Sequence, residues 1–236
     1  MNIEVLYEDD TLVVINKPAG LIVHSDGRTK EKTLVDWIVG IYPEMQCVGE
    51  VMHRDGIAIV RPGIVHRLDR DTSGVLVLAR SAESFFHLKE AFQSRQIKKE
   101  YRAFVYGVIK EEKGTIDRPI GKSASDFRAW SAQRGARGIL RDAVTNYSVL
   151  LRGRATSYLA LFPETGRTHQ IRVHMKAVHH PVVCDALYAP KRECLLDFGR
   201  QALHAYKITL TLLSGEQKTF EAPLPEDFTN GIDTMK

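Results

Sequence analysis

Cysteine is scarce in this chain. The three cysteines, Cys47, Cys184 and Cys194, make an odd count with no CxxC spacing. A disulfide framework or a four-cysteine zinc site is therefore not expected, and three ordinary thiols in a reducing compartment are. Long hydrophobic runs are missing too. None reaches the roughly eighteen residues of a membrane span, so no membrane partner is expected. The opening "MNIEVLYEDD" carries acids and no long apolar core, which argues against a secretory leader and for a cytoplasmic protein. No segment repeats at a period of about 20–50 residues, and none is of low complexity. Nor is there a large excess of one charge. Lysine and arginine number 33 against 29 acids, a net charge of +4. So mild a surplus is weak support for a nucleic-acid partner by itself, and its distribution counts for more.

The remaining composition is that of a globular chain, with 44% hydrophobic and 26% charged residues in 236. That length is ample for a well-buried core, and residues 1–236 are read as one catalytic domain. "IEVLY" (3–7) and "LVVIN" (12–16) form a strand pair around "EDDT", and "KPAG" stops the second strand. "KTLVDWIVGIY" (32–42) has helical spacing, and 43–63 reads as a loop or hairpin insertion. A buried strand over Val75–Ala79 is followed by an amphipathic helix with Ser81 as its cap. "KEYRAFVYGVI" is a strand, and residues 117–142 are an exposed basic loop or β-ribbon. Two strands joined at "RGRA" follow, then a short helix in "THQIRVHMKAV" with Thr168 as cap, and a closing hairpin on Ser-Gly. Strands outnumber helices and are mostly joined by hairpins. The fold class is α+β around a largely antiparallel or mixed sheet.

Three stretches carry chemistry. In "HRLDRDTSG", a histidine, arginines and aspartates crowd against the start of a core strand. If extended, the stretch puts Arg67, Asp69 and Asp71 on one face, with Thr72 and Ser73 free to close the loop by hydrogen bonding. In "PETGRTHQIRVHMK", Gly166 and Arg167 lead into a helix bearing His169, Arg172 and Lys176 on one face. That basic face suits phosphates. The histidines at 169, 174, 179 and 180 lack the acids or the H-E-x-x-H spacing of a metal site, so no metal is expected. In "QIKKEYRAF", Tyr101 follows Lys98 and Lys99 at the entry of a strand. It is either a core aromatic or a stacking platform beside phosphate-binding lysines.

"NKPAGLIVH", "GIVHRLDRDTSGVLVLA", "KKEYRA", "ETGRTHQIRVHM" and "LHA" stand in this order from Tyr7 to about Pro225. In that order and content the chain resembles the RluA-type RNA pseudouridine synthases. The resemblance implies a curved, mixed, largely antiparallel sheet with flanking helices and a central RNA-binding cleft. It implies an isomerase that turns chosen uridines of structured RNA, ribosomal or transfer, into pseudouridine without cofactor or metal. Carried over by motif, Asp69 is the catalytic aspartate, Tyr101 the aromatic stacking on the target base, and Arg172 the arginine pairing with the aspartate. Leu203 lines the base pocket and Arg67 contacts RNA around the vacated base position. His66, Thr72, Lys99, Arg167 and His169 complete the expected substrate-binding set. Many relatives begin with a small S4-type RNA-binding domain, whereas this chain starts at the catalytic hairpin and carries the insertion "HRDGIAIVRPG". No obligate protein partner is implied, and a monomer is expected. A catalytically inactive RNA-binding module keeping the fold is the alternative, and intact Asp69, Tyr101 and Arg172 argue against it. A metal-dependent nuclease would need an acid or histidine cluster that the sequence lacks.

Overall fold

The computed structural model describes residues 2–24, 31–54 and 57–236, with backbone alone for 52–54 and 57–60. Strands β1 (Glu4–Glu8) and β2 (Leu12–Lys17) form the first hairpin. Asp9 closes it, its Oδ1 accepting the amides of Thr11 (2.7 Å) and Leu12 (2.9 Å). Helix α1 (Leu34–Ile41) starts where the Thr33 amide donates to Asp36 Oδ2 at 2.7 Å, half of a capping box. A 3₁₀ turn (Pro43–Cys47) and the hairpin β3 (Val51–Arg54) and β4 (Ile57–Val60) fill the expected insertion. Then come β5 (Ser73–Ala79) and α2 (Ala82–Gln93), the latter capped by Ser81 as expected. Strands β6 (Lys98–Tyr106), β7 (Lys113–Asp117), β8 (Ile120–Lys122), β9 (Trp130–Ser131), β10 (Arg137–Arg141), β11 (Val144–Arg152) and β12 (Thr156–Pro163) follow. Helix α3 (Gln170–Ala177), the hairpin β13 (Leu203–Thr211) and β14 (Gln217–Glu221), and α4 (Glu226–Met235) complete the chain. The result is an α+β fold dominated by a large, mostly antiparallel sheet.

The described residues gather into two compact units, one up to Lys98 with Lys207–Pro223, the other Lys99–Tyr206 with Leu224–Lys236. In the first, β1, β2 and β5 lie side by side and antiparallel. All seven residues of β5 are buried, which is why its sequence is aliphatic throughout rather than alternating. Phe85 and Leu88 form the buried stripe of α2. In the second unit the order is β6, β12, β11, β7, again antiparallel. Its core gathers Phe104, Tyr158, Phe198 and Phe228 with Leu159 and Met175.

Helix α4 had no clear sequence signal, because Thr229, Asn230 and Gly231 are weak helix formers. Packing overrides propensity there. Phe228 is fully buried, and a Cβ on Gly231 would stand only 3.0 Å from the Phe104 ring. The expectation of three ordinary thiols is corrected. Cys184 and Cys194 are joined in a disulfide, their Cα atoms 4.7 Å apart, and Cys47 is the free, exposed thiol. The odd count concealed one pair plus one leftover, which spacing alone cannot reveal. No described helix is long and apolar enough to cross a membrane.

The histidines of the α3 region bond to nearby polar groups. His180 Nδ1 lies 2.8 Å from the Tyr106 carbonyl. His174 is fully buried, with Nδ1 2.9 Å from Thr145 Oγ1 and Nε2 2.9 Å from the Arg118 carbonyl. Burial holds its pKa below the ordinary 6.5, more than the bond to Arg118 raises it. The folded state thus binds fewer protons at this site than the unfolded chain. The resulting stability is complete above about pH 6.5 and is lost as pH falls toward the lower folded value. Urea midpoints should drop between about pH 7.5 and 5.5, and in His174→Gln the drop should shrink. An identical pH slope in the two proteins would show that His174 does not govern it.

Candidate active site

In the first unit, a polar loop is fastened along a core strand. Ile64 bridges Leu78, and the Ala79 amide donates to the Gly63 carbonyl at 2.8 Å. Gly63 has φ +64°, and a Cβ there would meet the Ala79 carbonyl at 2.3 Å, so glycine is required for this approach. His66 continues the attachment. Its Nε2 accepts from the Val77 amide at 2.9 Å while its ring stacks on Phe92. The ring expected among the substrate-binding residues therefore also joins loop to strand, as the tautomer with an unprotonated Nε2.

Beyond the buried Leu68 the chain turns. The Thr72 amide donates to the Asp69 carbonyl at 3.2 Å. This corrects the extended reading, since a turn over 69–72 breaks the alternation that would align Asp71 with Arg67 and Asp69. Asp69 is half-buried, Arg67 exposed, and Thr72 buried at the strand entry.

Lys17, passed over in the sequence, holds this turn. Its side chain is fully buried, and Nζ donates to the carbonyls of Pro18 (2.8 Å), Leu21 (2.9 Å) and Arg70 (2.9 Å). Three donors meet three carbonyls, the condition under which a buried ammonium is tolerable. Arg70 fastens the same loops from outside, reaching the Gly20 carbonyl and Glu31. The sequence signal for Lys17 was its place in NKPAGLIVH, a lysine ending an apolar strand before Pro-Ala-Gly, with no role attached. Arg61 was also missed. Burial, with Arg67 close by, holds its guanidinium below the usual arginine range.

In the second unit, α3 presents its basic face to one aromatic ring. Arg172, 6% exposed, makes a bidentate pair with Asp185, Nε to Oδ2 at 2.7 Å and Nη2 to Oδ1 at 2.8 Å. Asp185 Oδ1 also accepts the amides of Leu187 and Tyr188, each at 3.0 Å. The Arg172 guanidinium lies 4.9 Å from the centre of the Tyr188 ring, Lys176 Nζ lies 5.5 Å from it, and His169 Nδ1 is 2.8 Å from the Tyr188 hydroxyl. The expected face of His169, Arg172 and Lys176 is real, and Tyr188 is what organises it. Asp185 and Tyr188 escaped notice because "DALY" reads as a local Asp turn, which it also is.

Thr168 is not the helix cap. The cap position is His169, in the left-handed region with φ +55°. The buried Gln170 fixes the entry instead. Its Oε1 accepts from the Arg167 amide (3.0 Å) and Thr165 Oγ1 (2.6 Å), and its Nε2 donates to the Val144 carbonyl (2.9 Å) and Thr145 Oγ1 (3.0 Å). Arg167 Nε donates to the Asp142 carbonyl at 3.1 Å, and Lys99 Nζ to the Thr165 carbonyl at 3.4 Å. Tyr101 sits on β6 opposite Leu161, half-buried against the core cluster that includes Leu203. The unit thus offers a fixed guanidinium, an aromatic face and further cations, the materials for holding a base and its phosphates.

Comparison with known proteins gives this chemistry a family. A family described as RNA pseudouridylate synthase matches residues 11–177. The chain is 36% identical over 237 residues to the uncharacterized RNA pseudouridine synthase YlyB of Bacillus subtilis, covering 100% of this chain and 74% of that protein. It is likewise 36% identical over 246 residues to ribosomal large subunit pseudouridine synthase D of Yersinia pestis, covering 99% and 71%. Among solved structures, human RNA pseudouridylate synthase domain containing 4 superposes with a TM-score of 0.76 at 26% identity, covering 98% and 92%. Motifs, fold and relatives agree, and the chain belongs to the RNA pseudouridylate synthase family, isomerases that act on RNA.

Proposed function

We propose that this enzyme isomerises specific uridines of large-subunit ribosomal RNA in the cytoplasm, with Asp69 as its catalytic carboxylate. The single observation that carries the residue assignment is the HRLDRDTSG loop fastened to a fully buried strand, with Asp69 at its turn. Ribosomal RNA is favoured over transfer RNA by the similarity to ribosomal large subunit pseudouridine synthase D of Yersinia pestis and Haemophilus influenzae. Isomerisation breaks the C1′–N1 bond, rotates the freed base and rejoins it through C5, while N1 gains a proton and C5 loses one. An ionised carboxylate serves as nucleophile or base in such an exchange. Tyr101 is the stacking aromatic, returning about 1–3 kcal/mol of the few kcal/mol that flipping the base costs. Arg172 is the arginine serving the aspartate, and its planar fork is aimed by Asp185. Arg67, Thr72, Lys99, Arg167, His169 and Leu203 complete the binding set, and His66 holds the loop in shape.

Mapping pseudouridine in ribosomal and transfer RNA from cells with and without the gene tests the substrate. Large-subunit positions should lose the modification, and loss confined to transfer RNA would overturn that part. Asp69→Asn should abolish product while fold and RNA affinity hold. Turnover within about tenfold of the parent, roughly 1.4 kcal/mol of barrier, would remove Asp69 from the chemistry.

Two further substitutions test the supporting groups. Tyr101→Phe should keep RNA affinity, whereas Tyr101→Leu should lower both binding and turnover. Equal performance of Leu and Tyr would end the stacking role. Asp185→Ala removes the bidentate carboxylate from a buried guanidinium and should cost about 3–5 kcal/mol of unfolding free energy. A urea midpoint within error of the parent's would show that Arg172 does not depend on Asp185.

A further inference from the structure

The segment between β7 and β11 forms its own three-stranded sheet, in the order β10, β8, β9. Its edge is irregular. Arg137 stands opposite Lys122 and Arg141 opposite Ile120, so Gly138, Ile139 and Leu140 all face Gly121 alone. A Cβ on Gly121 would meet the Leu140 side chain at 2.6 Å and the Arg137 carbonyl at 2.9 Å, and Gly138 takes φ +72°. Two glycines therefore permit an enlarged bulge of three residues against one, a device that bends an edge strand and re-aims its side chains.

What the bulge displays is apolar. Ile139 is 81% exposed, Leu140 51%, and Phe127, in the turn between β8 and β9, 87%. Cations surround them. Arg134, Arg137 and Arg141 have no acidic partner among the described residues. The nearby Asp126 is taken by Arg128 through two bonds of 3.1 and 2.8 Å. Lys122 lies over the Trp130 ring at 4.0 Å. The sheet is also anchored within its unit. Ile120 and Ala129 are buried with Val173 of α3, and the Trp130 amide donates to the Tyr188 hydroxyl at 3.1 Å. Tyr188 is the same residue that organises the Arg172 face.

We propose that the bulged β10 edge together with Phe127 is a further RNA-contact surface of this enzyme. Arg134, Arg137 and Arg141 neutralise backbone phosphates, while Ile139, Leu140 and Phe127 pack on unstacked bases of the strand around the target. Charge complementarity selects this occupant. Unpaired guanidinia interleaved with exposed apolar groups match a polyanion with exposed ring faces, and the bulge discourages pairing with another protein strand. The proposal rests on the reading of RNA as substrate.

The test uses the full chain and a fluorescent single-stranded RNA of about 20 nucleotides, titrated by anisotropy over a range of salt. All substituted positions are exposed, so thermal melting should stay unchanged. Arg137→Ala with Arg141→Ala should weaken binding about tenfold near 0.15 M salt and flatten the salt slope by about 1.4, or 0.7 per lost phosphate contact. Ile139→Asn and Phe127→Ser should weaken binding at least about fivefold and leave the slope alone. Variants that bind like the parent would overturn this surface, as would unchanged RNA binding with an altered mass in light scattering, which would point to a protein partner. If the parent binds but makes no pseudouridine in unmodified ribosomal RNA, the catalytic reading fails and the binding comparison still decides the surface. A parent that does not bind the RNA overturns both.

Discussion

The second unit depends on one buried ion pair. Taking Arg172 and Asp185 out of water costs several kcal/mol per ion, and Coulomb attraction alone does not reliably repay it. The structure answers with hydrogen bonds. Both carboxylate oxygens accept from the guanidinium, and Oδ1 also accepts two backbone amides. Once the carboxylate is so committed, the plane of the guanidinium is fixed, and with it the ring of Tyr188 beneath. The hydroxyl of that ring reaches His169 and the amide of Trp130. Helix, loop and small sheet are thus referenced to a single charge pair, and a lysine at position 172 could not supply the same planar fork.

Lys17 does comparable work in the first unit with a different acceptor set. It holds three backbone carbonyls, and through that of Arg70 it fixes the turn that carries Asp69. Reacting groups must be held within a fraction of an ångström of productive geometry. A loop anchored only by its own turn would not achieve that. Burying a charge beneath it makes displacement costly, because a shift of the loop pulls a carbonyl away from the buried ammonium.

These supports explain what could and could not be read from the sequence. Elements with a strong local period, such as β5 and α2, were legible because burial on one face or two leaves a pattern in consecutive residues. The HRLDRDTSG stretch before β5 and the basic face of α3 were legible because their motifs are local too. Asp185, Lys17 and Gln170 were not. Each acts through partners set by the fold, Asp185 through a guanidinium 13 residues earlier and Lys17 through a carbonyl 53 residues later. Locally each resembles an ordinary turn or strand-end residue. Helix α4 was lost for the same reason, since its weak propensity is overridden by aromatic packing from Phe104 and Phe198. The disulfide was lost because spacing says nothing about which thiols meet.

Charge makes the same point at the scale of the whole chain. A net charge of +4 is too small to argue for a polyanionic partner, but the net figure averages over arginines in different situations. Arg80 is shared by Glu8 and Glu44, Arg152 pairs with Glu112, Arg172 with Asp185 and Arg200 with Asp227. Those charges are largely neutralised at short range and contribute little field beyond a Debye length of about 8–10 Å. Arg67 and Arg61 near the Asp69 loop, and Arg134, Arg137 and Arg141 on the bulged sheet, have no such partner among the described residues. These unpaired guanidinia contribute to the field a nucleic acid meets. A nearly balanced chain can therefore bind a polyanion, provided its acids are spent on the arginines that hold the fold.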